Sequence, residues 1–262
     1  MTGERGVDPP SAPAFGVDVV DLANPRTLGR HHDRRFMERV FAPAERGAIH
    51  AAPDPRFRTW RYWAAKEAAF KAIGIRRHPE SPPPFVHAAF EVIATDADRG
   101  TVKWDEVECD VTFREDPARR WVGALAVVSS RSDGVVDGEG MSAVDIRWVA
   151  SDIEETSVRL GARDSETLKG RLGQSELAAA RGFAHALVRL AARVEVAQRL
   201  SVDPARLEIV NAPGPAGRTP PIVHHDDAPC PDARVSLSHD GTRIAWATWV
   251  RNGAISARTG GS

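Results

Sequence analysis

The chain has 262 residues, which is enough to bury one large hydrophobic core or two smaller ones. Its 35 basic and 36 acidic residues give a formal net charge of −1, so the chain as a whole has no positive field that would favour nucleic acid. Cys109 and Cys230 match no disulfide or metal-site spacing, and no apolar run is long enough to span a membrane. We therefore expect a cytoplasmic protein.

The first predicted element is a strand over Phe15–Asp21, whose sequence is FGVDVVD. Asp18 interrupts a run of β-branched residues there. A carboxylate in such a position is costly unless it is paired or bound to a metal ion. The strand therefore predicts a functional role for Asp18.

The next informative element is a helix over residues 63–74, WAAKEAAFKAIG. Trp63, Glu67 and Lys71 are spaced four residues apart, so their side chains share one face of the helix. Two of the four lysines of the chain, Lys66 and Lys71, flank Glu67. Ammonium groups next to a carboxylate suit a site that holds a phosphate and a metal ion together.

A linker is predicted over residues 129–140, because SSRSDGVVDGEG is rich in glycine, serine and charged residues. It divides the chain into lobe one, residues 15–128, and lobe two, residues 141–250. Near the end of lobe two, the run VSLSHDG leads into a strand pattern over Arg243–Val250. This places His239 where a strand meets a turn.

The two lobes repeat each other in sequence. FGVDVV matches SAVDIR near the start of lobe two, and VTFRED late in lobe one matches VSLSHD late in lobe two. The separation of 49 positions from Asp18 to Glu67 equals that from Asp145 to Val194. Each lobe therefore reads as a strand, a long helix and a set of strands. We expect an α+β fold built as a pseudo-twofold pair.

The differences between the repeats locate the chemistry. Lobe one keeps charged side chains on its long helix where lobe two has Arg193, Val194 and Gln198. Lobe two keeps Ser238 and His239 where lobe one has Arg114 and Glu115. Neither lobe has a full set, so we expect one composite site in the cleft between them.

The motifs GVD around Asp18, WxxKExxxK in the helix and SLSHD around His239 resemble those of the 4′-phosphopantetheinyl transferases. The resemblance covers roughly residues 15–250. It implies lobes in which a long helix packs on an antiparallel sheet. It also implies magnesium-dependent transfer of 4′-phosphopantetheine from coenzyme A to a serine of an apo acyl or peptidyl carrier protein. The motif order of lobe two resembles the lobe that precedes GVD in Sfp-type members, so the lobes are expected in exchanged order.

The resemblance also implies roles for individual residues. Asp18 and Glu67 would bind the magnesium ion. Glu67 would also take the proton of the carrier serine, Lys71 would contact the transferred phosphate, and His239 would donate to a pyrophosphate oxygen; these three are the expected catalytic residues. The residues expected to bind coenzyme A are Lys66, Lys71, Arg181, Gly217, Arg218, Pro220, Ser238 and His239.

Other interpretations stay open. Glu67 could be an ion-pair partner of Lys71 within the helix, and Lys66 could be a surface lysine. The chain could also be a non-catalytic homologue that binds coenzyme A or a carrier protein, although the retained site residues favour an enzyme. A monomer is expected, with coenzyme A and a carrier protein as partners and without nucleic acid or a membrane.

Overall fold

The computed structural model describes residues 12–76, 85–94, 96–116, 118, 120–129, 145–211, 213–214 and 217–251. The predicted linker over residues 129–140 lies outside these ranges except for Ser129, so the boundary between the lobes stays a prediction. Among the described residues, no helix is both long enough and apolar enough to cross a membrane.

The described part of lobe one is an antiparallel sheet covered by helices. Its strands are β1 (Phe15–Asp21), β2 (Glu91–Ala94), β3 (Arg99–Trp104), β4 (Val107–Asp116) and β5 (Trp121–Val128). They lie in the order β1-β5-β4-β3-β2. The helices are α1 (Arg34–Val40), α2 (Pro43–His50) and α3 (Pro55–Arg76). The predicted first strand has the bounds of β1, and the predicted helix lies inside α3.

Small residues let α3 approach β1 closely. The alanines of α3 that face the sheet are fully buried: Ala64, Ala65, Ala68, Ala69 and Ala72. Gly16 of β1 lies under this face, and a Cβ atom there would stand 2.1 Å from the carbonyl oxygen of Ala68. The glycine of the GVD motif is therefore required by backbone contact, and that contact brings Lys71 next to Asp18.

Lobe two begins with β6 (Ile146–Asp152) and continues with helices α4 (Ile153–Arg159), α5 (Ser165–Lys169), α6 (Gln174–Ala179) and α7 (Phe183–Leu200). Its remaining strands are β7 (Leu207–Val210), β8 (Pro213–Gly214), β9 (Gly217–Arg218), β10 (Ile222–His225), β11 (Ala228–Pro229), β12 (Ala233–Asp240) and β13 (Arg243–Val250). Strands β12-β13-β6 form one sheet, β11-β10-β7 a second and β8-β9 a ribbon. The long helix α7 packs on β12 and β13. The predicted α+β class is confirmed.

The lobes meet along β1 and β12, each of which is an edge strand of its sheet. Side chains of β12 accept hydrogen bonds from alternate N–H groups of β1. Ser236 Oγ accepts from the N–H of Val17 at 3.0 Å, Ser238 Oγ from that of Val19 at 3.4 Å, and the Asp240 carboxylate from that of Asp21 at 2.9 Å. We call these three contacts the side-chain ladder. It satisfies N–H groups that face away from β5.

The turn after β12 completes this contact. Asp21 Oδ2 accepts from both the N–H and the hydroxyl of Thr242, each at 2.9 Å. Gly241 has a φ angle of +54°, and a Cβ atom there would lie 2.4 Å from Asp21 Oδ2. The glycine of VSLSHDG is therefore needed both for the turn and for the approach of the lobes.

The strand registers correct one part of the predicted repeat. Asp21 pairs with the first residue of β5, and Asp152 pairs with the first residue of β13. Both carboxylates also accept a hydrogen bond at 2.8 Å from the N–H two residues later. Three residues before each lie Asp18 and Val149, so Val149 corresponds to Asp18. The match of Asp18 with Asp145 was wrong by four residues, because Val194 follows Val149 by 45 positions whereas Glu67 follows Asp18 by 49.

Each long helix carries a buried cation that is paired with a glutamate of the preceding helix. Lys66 Nζ lies 2.7 Å from Glu45 Oε2, and Arg193 Nη1 lies 2.5 Å from Glu176 Oε2. Both glutamates also accept a backbone N–H of the strand that follows the long helix, β2 at 2.8 Å and β7 at 3.1 Å. Burial lowers the pKa of Lys66, and the Glu45 carboxylate opposes that shift. The predicted correspondence of Lys66 with Arg193 is reproduced by this packing.

Candidate functional site

A cleft of about 510 Å³ lies between the lobes, and we call it the first cleft. Lobe one lines it with residues of β1, α3 and the turn after β1. Lobe two lines it with residues of α7, β12 and the end of β7. The described lining residues are Asp18, Val19, Val20, Asn24, Arg26, Thr27, Trp60, Trp63, Glu67, Lys71, His185, Val188, Arg189, Asn211, Pro221, Leu237, Ser238, His239 and Asp240.

Asp18 is held from both lobes. Its Oδ1 atom accepts from Lys71 Nζ at 2.9 Å and from the Ser238 hydroxyl at 2.7 Å. Lys71 also donates to the carbonyl oxygens of Val17 at 2.8 Å and Leu237 at 3.4 Å. One ammonium group therefore joins α3, β1 and β12. It stays 29% exposed and faces the cleft.

Burial raises the pKa of Asp18 to about 6. The Lys71 ammonium and the hydrogen bonds from Ser238 and Lys71 oppose this rise, whereas the negative charge of Glu67 adds to it. The Asp18 and Glu67 carboxylates are thus close enough to repel each other. A bound cation would relieve both the repulsion and the cost of burial.

Glu67 lies one turn before Lys71 on α3. Its Oε1 atom is 3.8 Å from His87 Nε2, and the His87 ring packs on Trp63 with 4.6 Å between ring centroids. In the described part of the chain, Glu67 and Lys71 form no ion pair, because the Lys71 ammonium is bonded to Asp18 instead. The interpretation of Glu67 as an intrahelical partner of Lys71 is therefore not what the structure shows.

The wall from lobe two is built around His239. Its ring stacks on that of His185, with 4.0 Å between centroids and 17° between planes. Arg189, one turn after His185 on α7, donates to the carbonyl oxygen of His185 at 3.1 Å and to Asn211 Oδ1 at 2.5 Å. These contacts fix the side of the cleft opposite Asp18 and Glu67.

Two of the predicted coenzyme A contacts, Lys66 and Arg181, lie outside the described lining of the first cleft. Lys66 is completely buried against Glu45 and does not line the cleft, which corrects both its predicted binding role and the alternative of a surface lysine. Arg181 is exposed outside the cleft lining, and its N–H donates to His185 Nδ1 at 3.1 Å. Gly217 and Arg218 form β9, where only the backbone is described.

The structure brings five other predicted site residues together. Asp18, Glu67, Lys71, Ser238 and His239 all line the first cleft, whereas Pro220 precedes the lining residue Pro221. The sequence reasoning did not assign several polar or aromatic lining residues to the site, namely Asn24, Arg26, Thr27, Trp60, His185, Arg189, Asn211 and Asp240. The spacing of four between His185 and Arg189 on one helical face was the available signal.

The carboxylate oxygens of the first cleft fit a magnesium ion whose remaining positions are filled by water and by phosphate oxygens of a bound ligand. Among the described residues, no group of three or more His, Cys, Asp or Glu side chains is arranged to hold a metal ion. Magnesium commonly binds one or two protein carboxylates and completes its shell with water and phosphate oxygens. Asp18 and Glu67 are two carboxylates that line the same cleft and could bind such an ion.

Comparison with known proteins finds similarity over lobe one. Residues 14–126 match the model of the 4′-phosphopantetheinyl transferase superfamily. Similar curated proteins include holo-acyl-carrier-protein synthases from Azoarcus sp., 48% identical over 61 residues, and Rhodopirellula baltica, 38% identical over 64 residues. These alignments cover 23% and 24% of this chain and 48% and 51% of the relatives. The chain thus spans about half the length of the curated relatives it matches.

A solved structure is also similar. It is the Chronobacterium ammoniagenes ACPS–CoA complex, which is 23% identical; the match covers 45% of this chain and 97% of that chain, with a TM-score of 0.36.

Proposed function

Because residues 14–126 belong to the 4′-phosphopantetheinyl transferase superfamily, we propose that the chain transfers 4′-phosphopantetheine from coenzyme A to a serine of an apo acyl or peptidyl carrier protein. The observation that carries the proposal is the composition of the first cleft. Asp18, Glu67 and Lys71 come from lobe one, and Ser238 and His239 come from lobe two. The expected catalytic and metal-binding residues, together with Ser238, therefore line one cleft.

In the proposed reaction, the hydroxyl oxygen of the carrier serine forms a bond to the β-phosphorus of coenzyme A. The bond from that phosphorus to the bridging pyrophosphate oxygen breaks, and 3′,5′-ADP leaves with the bonding electron pair. Such a transfer depends mainly on positioning and on neutralisation of charge. Glu67 takes the serine proton, directly or through water. Lys71 stabilises the phosphoryl oxygens, and His239, held by His185, donates to the pyrophosphate.

The charges of the first cleft support a requirement for magnesium. Of its described lining residues, Asp18, Glu67 and Asp240 are acidic, and Arg26, Lys71 and Arg189 are basic. A pyrophosphate would therefore meet carboxylates as well as cations. Asp18 and Glu67 are the residues that would hold a magnesium ion, which supplies the missing positive charge when it is bound.

The transfer can be tested by intact mass spectrometry. The protein is incubated with coenzyme A, magnesium and apo carriers of fatty acid, polyketide and nonribosomal peptide synthesis. We expect at least one carrier to gain the mass of one phosphopantetheinyl group. Asp18→Ala should reduce the rate by at least about a hundredfold, because a site for charge stabilisation is lost. The matched control is Val149→Ala at the corresponding position of lobe two, which should keep the rate of the parent protein.

Different failures have different meanings. Normal transfer by Asp18→Ala at physiological magnesium would remove Asp18 from the site. If no carrier gains mass although the protein binds coenzyme A, the chain is the non-catalytic homologue instead. That alternative needs no proton acceptor, so Glu67→Gln should then leave coenzyme A binding unchanged.

A further inference from the structure

A second cleft, of about 700 Å³, lies on the other side of the contact between the lobes. It is formed by β6, α7 and β4, which correspond to β1, α3 and β12 of the first cleft. Val149 and Val194 line it at the positions of Asp18 and Glu67, and Gln198 lines it at the position of Lys71. The second cleft therefore has the shape of a site without the carboxylates of the first.

Arginines replace the lost groups. Arg114 stands at the sequence position of Ser238, and its Nη1 atom donates to the carbonyl oxygen of Trp148 at 2.9 Å. That carbonyl corresponds to the Val17 carbonyl, which Lys71 holds in the first cleft. The Arg114 guanidinium also lies 4.6 Å from the centroid of the Trp148 ring, and the Arg159 guanidinium lies 5.7 Å from that of Trp246.

The charge of the second cleft is positive. Arg114, Arg147 and Arg159 are exposed lining residues, whereas the acidic residue among the described lining is Glu195. The Glu195 carboxylate accepts from Trp246 Nε1 and, at 3.0 Å, from the Thr248 hydroxyl. Arg147 Nε lies 3.8 Å from Asp145 Oδ1, whereas within the ranges that the structure describes no carboxylate pairs with Arg114 or Arg159.

We propose that the second cleft is a binding site for a phosphate-bearing small molecule and that it needs no divalent cation. Guanidinium groups match phosphate oxygens in pairs, and here they are set on tryptophan rings that restrict their positions. The first cleft balances its cations with carboxylates. The described lining of the second has three arginines and one glutamate; that glutamate is already hydrogen-bonded, and Arg147 alone of the three arginines has a carboxylate nearby, that of Asp145. This proposal does not rest on the proposed transfer, because none of its residues belongs to the first cleft.

Isothermal titration calorimetry with inorganic pyrophosphate and with 3′,5′-ADP, both in EDTA, tests the proposal. We expect the parent protein and Lys71→Met to bind a probe with equal affinity. The variant Arg114→Gln/Arg159→Gln should bind at least tenfold more weakly, and raising the salt concentration should weaken binding to the parent protein. Arg159→Gln alone is a second test for the case that Arg114→Gln does not fold. Arg159 is exposed, so its replacement should leave the fold intact.

The opposite results would overturn the proposal. In the first, the parent protein binds neither probe at millimolar concentration. In the second, folded arginine variants bind as tightly as the parent. In the third, Lys71→Met loses binding. The last result would assign the anion to the first cleft.

Discussion

Lobe one and lobe two share the buried parts of their architecture and differ in the side chains that reach the clefts. The pairs Lys66–Glu45 and Arg193–Glu176 hold a long helix to the preceding helix in the same way. At the next position of the helix, Glu67 of lobe one corresponds to Val194 of lobe two, and one turn beyond it Lys71 corresponds to Gln198. Packing and chemistry are thus carried by different positions of the same helix, and they can be changed separately.

The comparison extends to charge. The first cleft combines acids and bases in equal number among its described lining residues, and the second has an excess of arginine. A pair of carboxylates favours a site that recruits a cation, whereas guanidinium groups in excess over carboxylates favour direct contact with an anion. The same backbone arrangement can therefore support two modes of anion binding.

The largest effect on stability is expected at the buried ion pair that both lobes share. Lys66→Met and Arg193→Met should each lower the free energy of unfolding by about 3–5 kcal/mol, because each leaves a glutamate charge buried without its partner. Denaturant unfolding of both variants measures this. Adding Glu45→Gln to Lys66→Met should recover part of the loss. A cost below about 1 kcal/mol in either lobe would mean that its ion pair is not buried in solution.

The next largest effect should differ between corresponding positions of the two lobes. Glu67→Gln is expected to slow carrier modification by at least about a hundredfold, the low end for loss of a general base, with stability unchanged or raised because Asp18 loses a repelling neighbour. Val194→Ala at the corresponding position should cost about 1 kcal/mol of stability through lost packing and leave the rate nearly unchanged. Thermal melting and transfer rates are measured side by side. Equal losses of rate would show that the catalytic helix is wrongly assigned.

The smallest effect concerns the pH dependence of stability in EDTA. Because the folded-state pKa of Asp18 is raised to about 6, the folded state binds a proton more tightly than the unfolded state between about pH 4 and 6. Stability should therefore fall as the pH rises through this window. Asp18→Asn should be more stable than the parent by on the order of 2 kcal/mol at pH 8 and equally stable at pH 4. Parallel curves for Asp18→Asn and the parent would contradict the buried site.

Local patterns predicted the elements that carry the chemistry. The strand around Asp18, the helix around Glu67 and the strand Arg243–Val250 follow from hydrophobic periodicity and from glycine at turns. Lys66 could not be placed in this way, because its partner Glu45 is 21 positions earlier and a charged residue predicts exposure. Only the tertiary contact shows that it is interior.

The repeat shows a second limit of sequence reasoning. Equal spacing favoured Asp145 as the counterpart of Asp18, but strand pairing assigns Val149. A short sequence match cannot detect that the spacing from strand to helix is four positions shorter in lobe two. His185 and Arg189 were missed for a related reason: their role depends on β12 packing against α7, which no local pattern reports.

The side-chain ladder between β1 and β12 makes the first cleft depend on how the two lobes are aligned. Side chains alternate along a strand, so a slip of one residue would turn Ser236, Ser238 and Asp240 away from β1 and bring Leu237 and His239 to its N–H groups. The same slip would take Ser238 from Asp18 and separate His239 from His185. Two lobes docked out of step could thus remain folded units, yet they would have no first cleft, and the proposed transfer would require the one alignment that the ladder fixes.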